Sequence, residues 1–316
     1  MSFLTRIVYL VGPTAVGKSA IAMEFARQAG AESVSADSMQ VYRGMDIGTA
    51  KPTAKERQTI PHHLIDVCEV SEPFDVKQFV ERATRVVEDI QARGKTALVV
   101  GGTGLYVRAL RQGLFEGPPR DEKMRAKLES MTTDTLFEEL QRVDPQTAKQ
   151  IDRHNPRRLV RALEVFCLTG RPISKMQTQW GDKQASQRGN DDGLFICLDR
   201  ERSELHERIE KRIDEQIAAG WVDEVRRLLE RGLDKNTTAM QAAGYRELVE
   251  HLRGELKLAD AVKLIKARTR QLARRQLTWF RREPGLNWIQ IKAGEPMTET
   301  AERAFEILST GEDKTH

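Results

Sequence analysis

Residues 12–19 read Gly12-Pro13-Thr14-Ala15-Val16-Gly17-Lys18-Ser19 and satisfy every fixed position of the phosphate-loop pattern G-x-x-x-x-G-K-[ST]. The chemistry this implies is anion binding. Glycines let the backbone wrap a phosphate without Cβ clashes, and amide N–H groups converge where a helix begins. Lys18 adds a mobile positive charge, and the Ser19 hydroxyl suits Mg²⁺. A second candidate is Asp37, which follows Ser33-Val34-Ser35-Ala36, a stretch that reads as a short second strand. A carboxylate there could act on the group that attacks a phosphate ester, or it could be a turn or capping residue. The third is the turn Gly101-Gly102-Thr103-Gly104-Leu105-Tyr106. An ordinary ATP-hydrolysing enzyme would show a metal-binding acid at a strand end, and the strand before this turn ends in none. His62 and His63 are adjacent, and on a strand they face opposite sides, which argues against a shared metal.

The elements that must position these groups are legible from periodicity. Ile7–Val11 is a compact apolar run of strand character, and Ala20–Gln28 has helical spacing. The chain then alternates: a strand at 33–36, a helix at 75–93 closed by Gly94, and a near-continuous apolar strand at 96–100, as expected in a buried parallel sheet. In open α/β folds ligands bind at the carboxyl edge of such a sheet, which is where all three candidates fall. The loop 44–52 has no strand or helix period and is a further ligand-touching candidate. From Glu116 to Arg120 glycine and proline break the pattern, and helical segments follow at 121–130, 133–143 and 145–152. A fourth carries Asn155 as N-cap, Pro156 at its first position and Gly170 beyond its end. Residues 180–193 read as a polar loop, and Leu194–Leu198 restores strand character. These boundaries predict a phosphate-loop parallel-sheet core over 1–116, an α-helical insertion over 117–193, and core completion with a basic helical region over 194–316.

A charged fraction of 31% and a net charge of +4 describe a heavily charged surface without a strong overall sign. The three cysteines are widely spaced, which predicts reduced thiols in the cytoplasm. The Met-Ser-Phe-Leu-Thr-Arg start runs into the first strand without signal-peptide character, and no apolar run approaches membrane-spanning length. Charge is concentrated instead. On the helix at 263–282, Lys263, Lys266, Arg270, Arg274 and Arg281 share one face, with Ile265, Leu272, Gln276 and Trp279 opposite. Such a face suits a nucleic-acid backbone better than a membrane, with a solvated face as the alternative. The cluster Arg157, Arg158 and Arg161 leaves the same two readings open. Arg208 and Arg212, one helical turn apart, could reach a phosphate or pair with neighbouring glutamates.

Taken together, the blocks at 12–19, 35–42, 44–52, 61–66, 100–106, 155–165, 244–246 and 274–281 resemble those of the tRNA dimethylallyltransferases, in that family's order and over nearly the whole chain. The resemblance implies transfer of a dimethylallyl group from dimethylallyl diphosphate to the exocyclic amine of the adenosine beside a tRNA anticodon. It implies that Gly12, Pro13, Thr14, Ala15, Val16, Gly17, Lys18 and Ser19 hold the diphosphate, with Mg²⁺ on Ser19, and that Arg212 (or Arg208) reaches over it. Asp37 becomes the base and Thr103 a group near the reaction centre. Contact with the anticodon stem-loop is implied for Asp37, Ser38, Met39 and Gln40, for Thr103 and Arg125, and for Arg157, Arg158, Leu159, Val160 and Arg161. It extends to Gln241, Ala242, Ala243, Gly244, Tyr245 and Arg246, and to Arg274, Arg275, Gln276, Leu277, Thr278, Trp279, Phe280 and Arg281. A monomer is expected. The rival is a phosphate-loop small-molecule kinase, which leaves the basic helix without a task.

Overall fold

Three of the six strands, at 7–11, 97–101 and 194–200, carry mostly apolar residues on both faces, and a strand of that kind is stable only where helices cover it on both sides. The computed structural model, which describes residues 7–114, 117–177 and 193–310, places them in one sheet. The strands are β1 (Ile7–Val11), β2 (Glu32–Ser35), β3 (His62–His63), β4 (Ala97–Gly101), β5 (Leu194–Arg200) and β6 (Asn287–Ile291), in the order β3-β2-β4-β1-β5-β6. Every neighbouring pair is parallel: Val8 of β1 lies beside Leu98 of β4 and Leu194 of β5. β1 is therefore central, and its Val8, Tyr9 and Val11 are fully buried. Because all strands run one way, their carboxyl ends deliver the phosphate loop, Asp37, the second glycine turn and Arg200 to one edge.

The first helix, Lys18–Ala29, starts at Gly17 (φ 117°), stops at Gly30 (φ 61°), and buries Ile21, Ala22, Phe25 and Ala26. Only glycine takes those two backbone conformations without strain. The helix Val76–Ala92 is fixed at its start by a reciprocal cap: the Asp75 carboxylate accepts the Gln78 N–H (2.9 Å), and the Gln78 side chain accepts the Asp75 N–H (3.0 Å). It buries Phe79, which stacks on Tyr106 with ring centroids 4.2 Å apart.

The C-terminal region differs from the sequence expectation of helix alone. β6 adds a sixth strand on the far side of β5, followed by the helix Met297–Thr310. Asn287, Trp288 and Gln290 are exposed on that edge, so the strand lacks the continuous apolar run that marks β1, β4 and β5. The segment Ala54–Thr59 is likewise a short helix, capped by a Thr53/Glu56 box.

The chain divides into two compact units, residues 1–110 with 192–316, and residues 111–191. The second unit is helical. Leu128, Leu136, Leu140, Leu159, Leu163 and Val165 form its core. Its helices are Glu122–Glu129, Thr133–Val143, Pro145–Ala148, Pro156–Thr169 and Ile173–Gln177. Asn155 caps the fourth of these, with its side chain accepting the Arg158 N–H (3.3 Å), and Gly170 (φ 66°) ends it. The third stops at Ala148 rather than at Asp152, since the chain must leave helical geometry before the Asn155–Pro156 restart. The polar loop predicted at 180–193 lies outside the described residues apart from Gly193. No described helix is long and apolar enough to cross a membrane.

Candidate active site

The phosphate loop is wound tightly enough that Ala15 takes a left-handed conformation (φ 63°). Lys18 Nζ donates to the carbonyls of Gly12 (2.9 Å) and Pro13 (2.7 Å), which folds the side chain back over the loop. Burial pushes this ammonium down to about 8; Asp37 opposes the shift and Arg212 adds to it. The loop opens on a cavity of about 440 Å³ lined by Lys18, Ser19, Asp37, Arg208, Lys211, Arg212, Glu215 and Gln276 among others. Four cations against two carboxylates make the cavity an anion site, and the first-turn amides of the following helix lack intrahelical acceptors.

Asp37 follows β2 at the carboxyl edge of the sheet. One carboxylate oxygen accepts the Met39 N–H (2.9 Å), which makes it a turn residue. The other takes no hydrogen bond from the described residues, and the side chain lines the cavity with Lys18 and Arg212. Thr103 braces this turn. Its hydroxyl accepts the Ser38 N–H (3.1 Å) and lies 3.3 Å from the Ser38 hydroxyl, while its own N–H donates to Ala36 O (3.3 Å). Gln40 accepts from Ser35 Oγ (2.9 Å) and donates to Thr49 O (3.2 Å), tying Asp37's strand to the loop 44–52.

Arg208 and Arg212 both reach the cavity, from the helix Arg202–Ala218. Arg208 Nε donates to Ala15 O (2.9 Å), and burial, with Arg200 nearby, lowers its affinity for its proton. Arg212 is lowered by burial, with Asp37 opposing. Among the described residues neither makes a salt bridge to the neighbouring glutamates; Glu204 pairs with Arg200 and Glu215 with Lys211 instead.

Sequence reasoning missed how the loop 44–52 is held. Glu224, buried on the helix Trp221–Glu230, accepts the N–H groups of Asp46 (2.9 Å), Ile47 (2.6 Å) and Gly48 (3.2 Å) and the Tyr245 hydroxyl (2.7 Å). Gln216 Nε2 adds a bond to Ile47 O (2.6 Å). Trp221 packs so closely that a Cβ on Gly244 would stand 2.1 Å from its ring, and Gly244 has φ +97°. Gly244→Ala is therefore expected to cost about 3 kcal/mol of stability, combining overpacking with left-handed strain. Chemical denaturation checks this, and a loss under about 1 kcal/mol would contradict such close packing.

The residues assigned to RNA contact divide by position. Ser38, Met39 and Gln40 lie on the Asp37 turn, and Ala242 and Ala243 line a second cavity of about 90 Å³ with Asp37, Met39, Arg212 and Trp221. Arg157, Arg158, Gln241, Arg246, Arg274, Arg275, Thr278 and Arg281 are exposed. Leu159, Val160, Tyr245 and Phe280 are core residues, which corrects their assignment: their side chains are spent on packing and present nothing to a ligand. Arg125 and Arg161 are both held by the fully buried Glu164 (2.9 and 2.7 Å), whose carboxyl they keep down at about 2 against its own burial. Trp279 packs under Arg108, whose guanidinium lies 4.6 Å from the ring centroid.

The basic face also needs correcting. On the helix Leu258–Phe280, Lys263 pairs with Asp260 (3.2 Å), Lys266 with Asp214 (2.7 Å) and Arg270 with Glu210 (2.7 Å). Those charges are matched within the fold. Arg274 has no carboxylate within ion-pair distance among the described residues, and Arg281 has only Asp199 at 3.8 Å.

Comparison with known proteins points to one family. The model of the family described as IPP transferase matches residues 40–283. A tRNA dimethylallyltransferase of Geobacter metallireducens is 47% identical over 290 residues, covering 90% of this chain and 93% of that protein. The solved tRNA isopentenylpyrophosphate transferase of Bacillus halodurans superposes with a TM-score of 0.71 at 37% identity, over 98% of each chain. A eukaryotic dimethylallyltransferase solved acting on tRNA gives a TM-score of 0.76 at 28% identity, over 95% of this chain and 78% of that one. With a phosphate loop, a facing carboxylate and relatives matched over 90% or more of its length, the chain belongs to the IPP transferase family and is a prenyl-transferring enzyme.

Proposed function

We propose that this enzyme moves a dimethylallyl group from dimethylallyl diphosphate to N6 of the adenosine 3′ to a tRNA anticodon, releasing diphosphate. The observation that carries this is the meeting of Lys18 and Asp37, from two different strand ends, in one cation-rich cavity. The N6 lone pair forms a bond to the allylic carbon as the C–O bond breaks, and that bond's electron pair leaves on the diphosphate. An allylic carbon carries positive charge well, so stabilising the departing anion is the main demand on the protein. Lys18, the loop amides, Arg208 and Arg212 meet it. The amine is a poor nucleophile because its lone pair is delocalised into the ring. Asp37 takes its proton, and Thr103 keeps the Asp37 turn in place.

Mg²⁺ is the expected cofactor. Ser19 lines a small cavity of about 60 Å³ beside Lys18, and its hydroxyl is a hard oxygen donor of the kind that suits Mg²⁺. No cluster of three or more His, Cys, Asp or Glu side chains could hold a metal among the described residues, so Ser19 would hold an ion that arrives with the diphosphate. When bound, the ion neutralises charge on the leaving group.

The anticodon loop gives up a base at low cost, and an extruded adenine can reach a strand-end pocket. A monomer is the expected working unit. The free thiols of Cys68, Cys167 and Cys197 fit a cytoplasmic enzyme. Arg274, exposed and without a carboxylate partner among the described residues, is read as a phosphate contact, and so is Arg281. Arg274→Ala should flatten the salt dependence of tRNA affinity by about 0.7–0.9 units of log–log slope. Lys266→Ala and Arg270→Ala should leave it unchanged, because Asp214 and Glu210 already hold those charges. Equal slopes for Arg274→Ala and the parent enzyme would return that face to solvent.

A further inference from the structure

The helix Leu258–Phe280 has two working sides. Arg274 and Arg275 point outward and are exposed. Thr269 and Leu272 line the 90 Å³ cavity, and Gln276 lines the 440 Å³ cavity, at the spacing of one helix face. Gln276 does more than line it. Its Oε1 accepts the N–H of Thr14, inside the phosphate loop (2.8 Å), and its Nε2 donates to the carbonyl of Gly102, in the second glycine turn (3.0 Å). One amide thus joins the loop that holds the donor to the turn that carries Thr103, and Thr103 in turn braces Asp37.

Two features make this a fitted contact rather than a chance one. A primary amide is the side chain that can accept from one backbone and donate to another along its own length. Gly102 leaves room for it, since a Cβ there would lie 2.3 Å from Gln276 Nε2. The Thr14 N–H, engaged by Gln276, is withdrawn from the amides available to a phosphate, so any shift of the helix changes the geometry of the loop directly.

We infer that Gln276 is the positioning residue that couples the RNA-facing helix to the diphosphate loop, so that RNA on the outer side of the helix tightens the grip on diphosphate at its inner side. This rests on the functional reading above. Coupling of this kind is reciprocal and is measured as the factor by which one ligand changes the other's affinity.

The test uses inorganic diphosphate and an unmodified anticodon stem-loop RNA as probes, with Mg²⁺, so that no transfer occurs. The affinity of each is measured alone and with the other saturating. The parent enzyme is expected to show a mutual factor of about fivefold or more. Gln276→Leu should bring that factor to within about twofold of one, whatever it does to the affinity of each ligand alone. Gly102→Ala, which pushes the same amide aside without removing it, should lower the factor as well. A factor of one in the parent enzyme, or a factor that survives both substitutions, would overturn the inference and leave the functional reading intact. A parent enzyme that bound no RNA would remove that reading, and this inference with it.

Discussion

Asp37→Asn is expected to lower the rate of dimethylallyl transfer by about 10²–10⁴-fold, the usual worth of a positioned general base. Asparagine is nearly isosteric, and its carbonyl can still accept the Met39 N–H, so the turn survives. What is lost is the oxygen that takes the amine proton. Diphosphate binding should hold or tighten slightly, because a negative charge has left the cation-rich cavity. Single-turnover transfer and direct diphosphate titration separate the two effects. A variant that keeps near-normal turnover would remove Asp37 as the base and reduce it to a turn residue.

Lys18→Ala should act on the other half of the chemistry. The ammonium lies against the Gly12 and Pro13 carbonyls and faces Asp37 and Arg212, which places its charge where the leaving group must sit. Losing a charge-assisted bond to an anion costs about 1.5–3 kcal/mol, or roughly 10–150-fold in diphosphate affinity. The larger loss falls on transfer, because the departing diphosphate carries more charge than the bound ester. The pH dependence follows from the same group. Free Lys18 loses its proton near about 8, so donor affinity should fall as pH rises through that value. The fall should be at most about tenfold per pH unit, and Lys18→Ala should lack this component. Stability moves the opposite way: the unfolded chain binds this proton more tightly, so the fold gains stability between about 8 and the ordinary lysine value of 10.5. Unchanged diphosphate affinity in Lys18→Ala would mean that the loop is not the donor site.

The parts of the site that were legible in the sequence are the local ones. A glycine loop between an apolar strand and a helix carries its meaning in eight consecutive residues, and an acid after the next strand falls at the sheet edge by topology alone. Arg208 and Arg212 are one turn apart, so they share a face wherever the helix docks, and both reach the cavity. The remainder depends on tertiary approach. Nothing in the helix Trp221–Glu230 distinguishes Glu224 from a surface acid; only packing reveals that its carboxylate collects three backbone amides and a phenol. The acids that neutralise Lys266 and Arg270 come from a different helix, Arg202–Ala218, so the basic face looked longer in sequence than it is in space. Contiguous motif blocks also carried Leu159, Val160, Tyr245 and Phe280 along with their exposed neighbours, although those four side chains build the core.

The most direct test of the central claim is a transfer assay with purified enzyme, Mg²⁺ and labelled dimethylallyl diphosphate. One reaction contains unmodified tRNA bearing adenosine 3′ to the anticodon, and another contains AMP. Label in tRNA alone is the predicted result. Label in AMP alone would contradict the polynucleotide acceptor. No label in either, with ATP consumed on a small hydroxylated compound, would contradict the account as a whole.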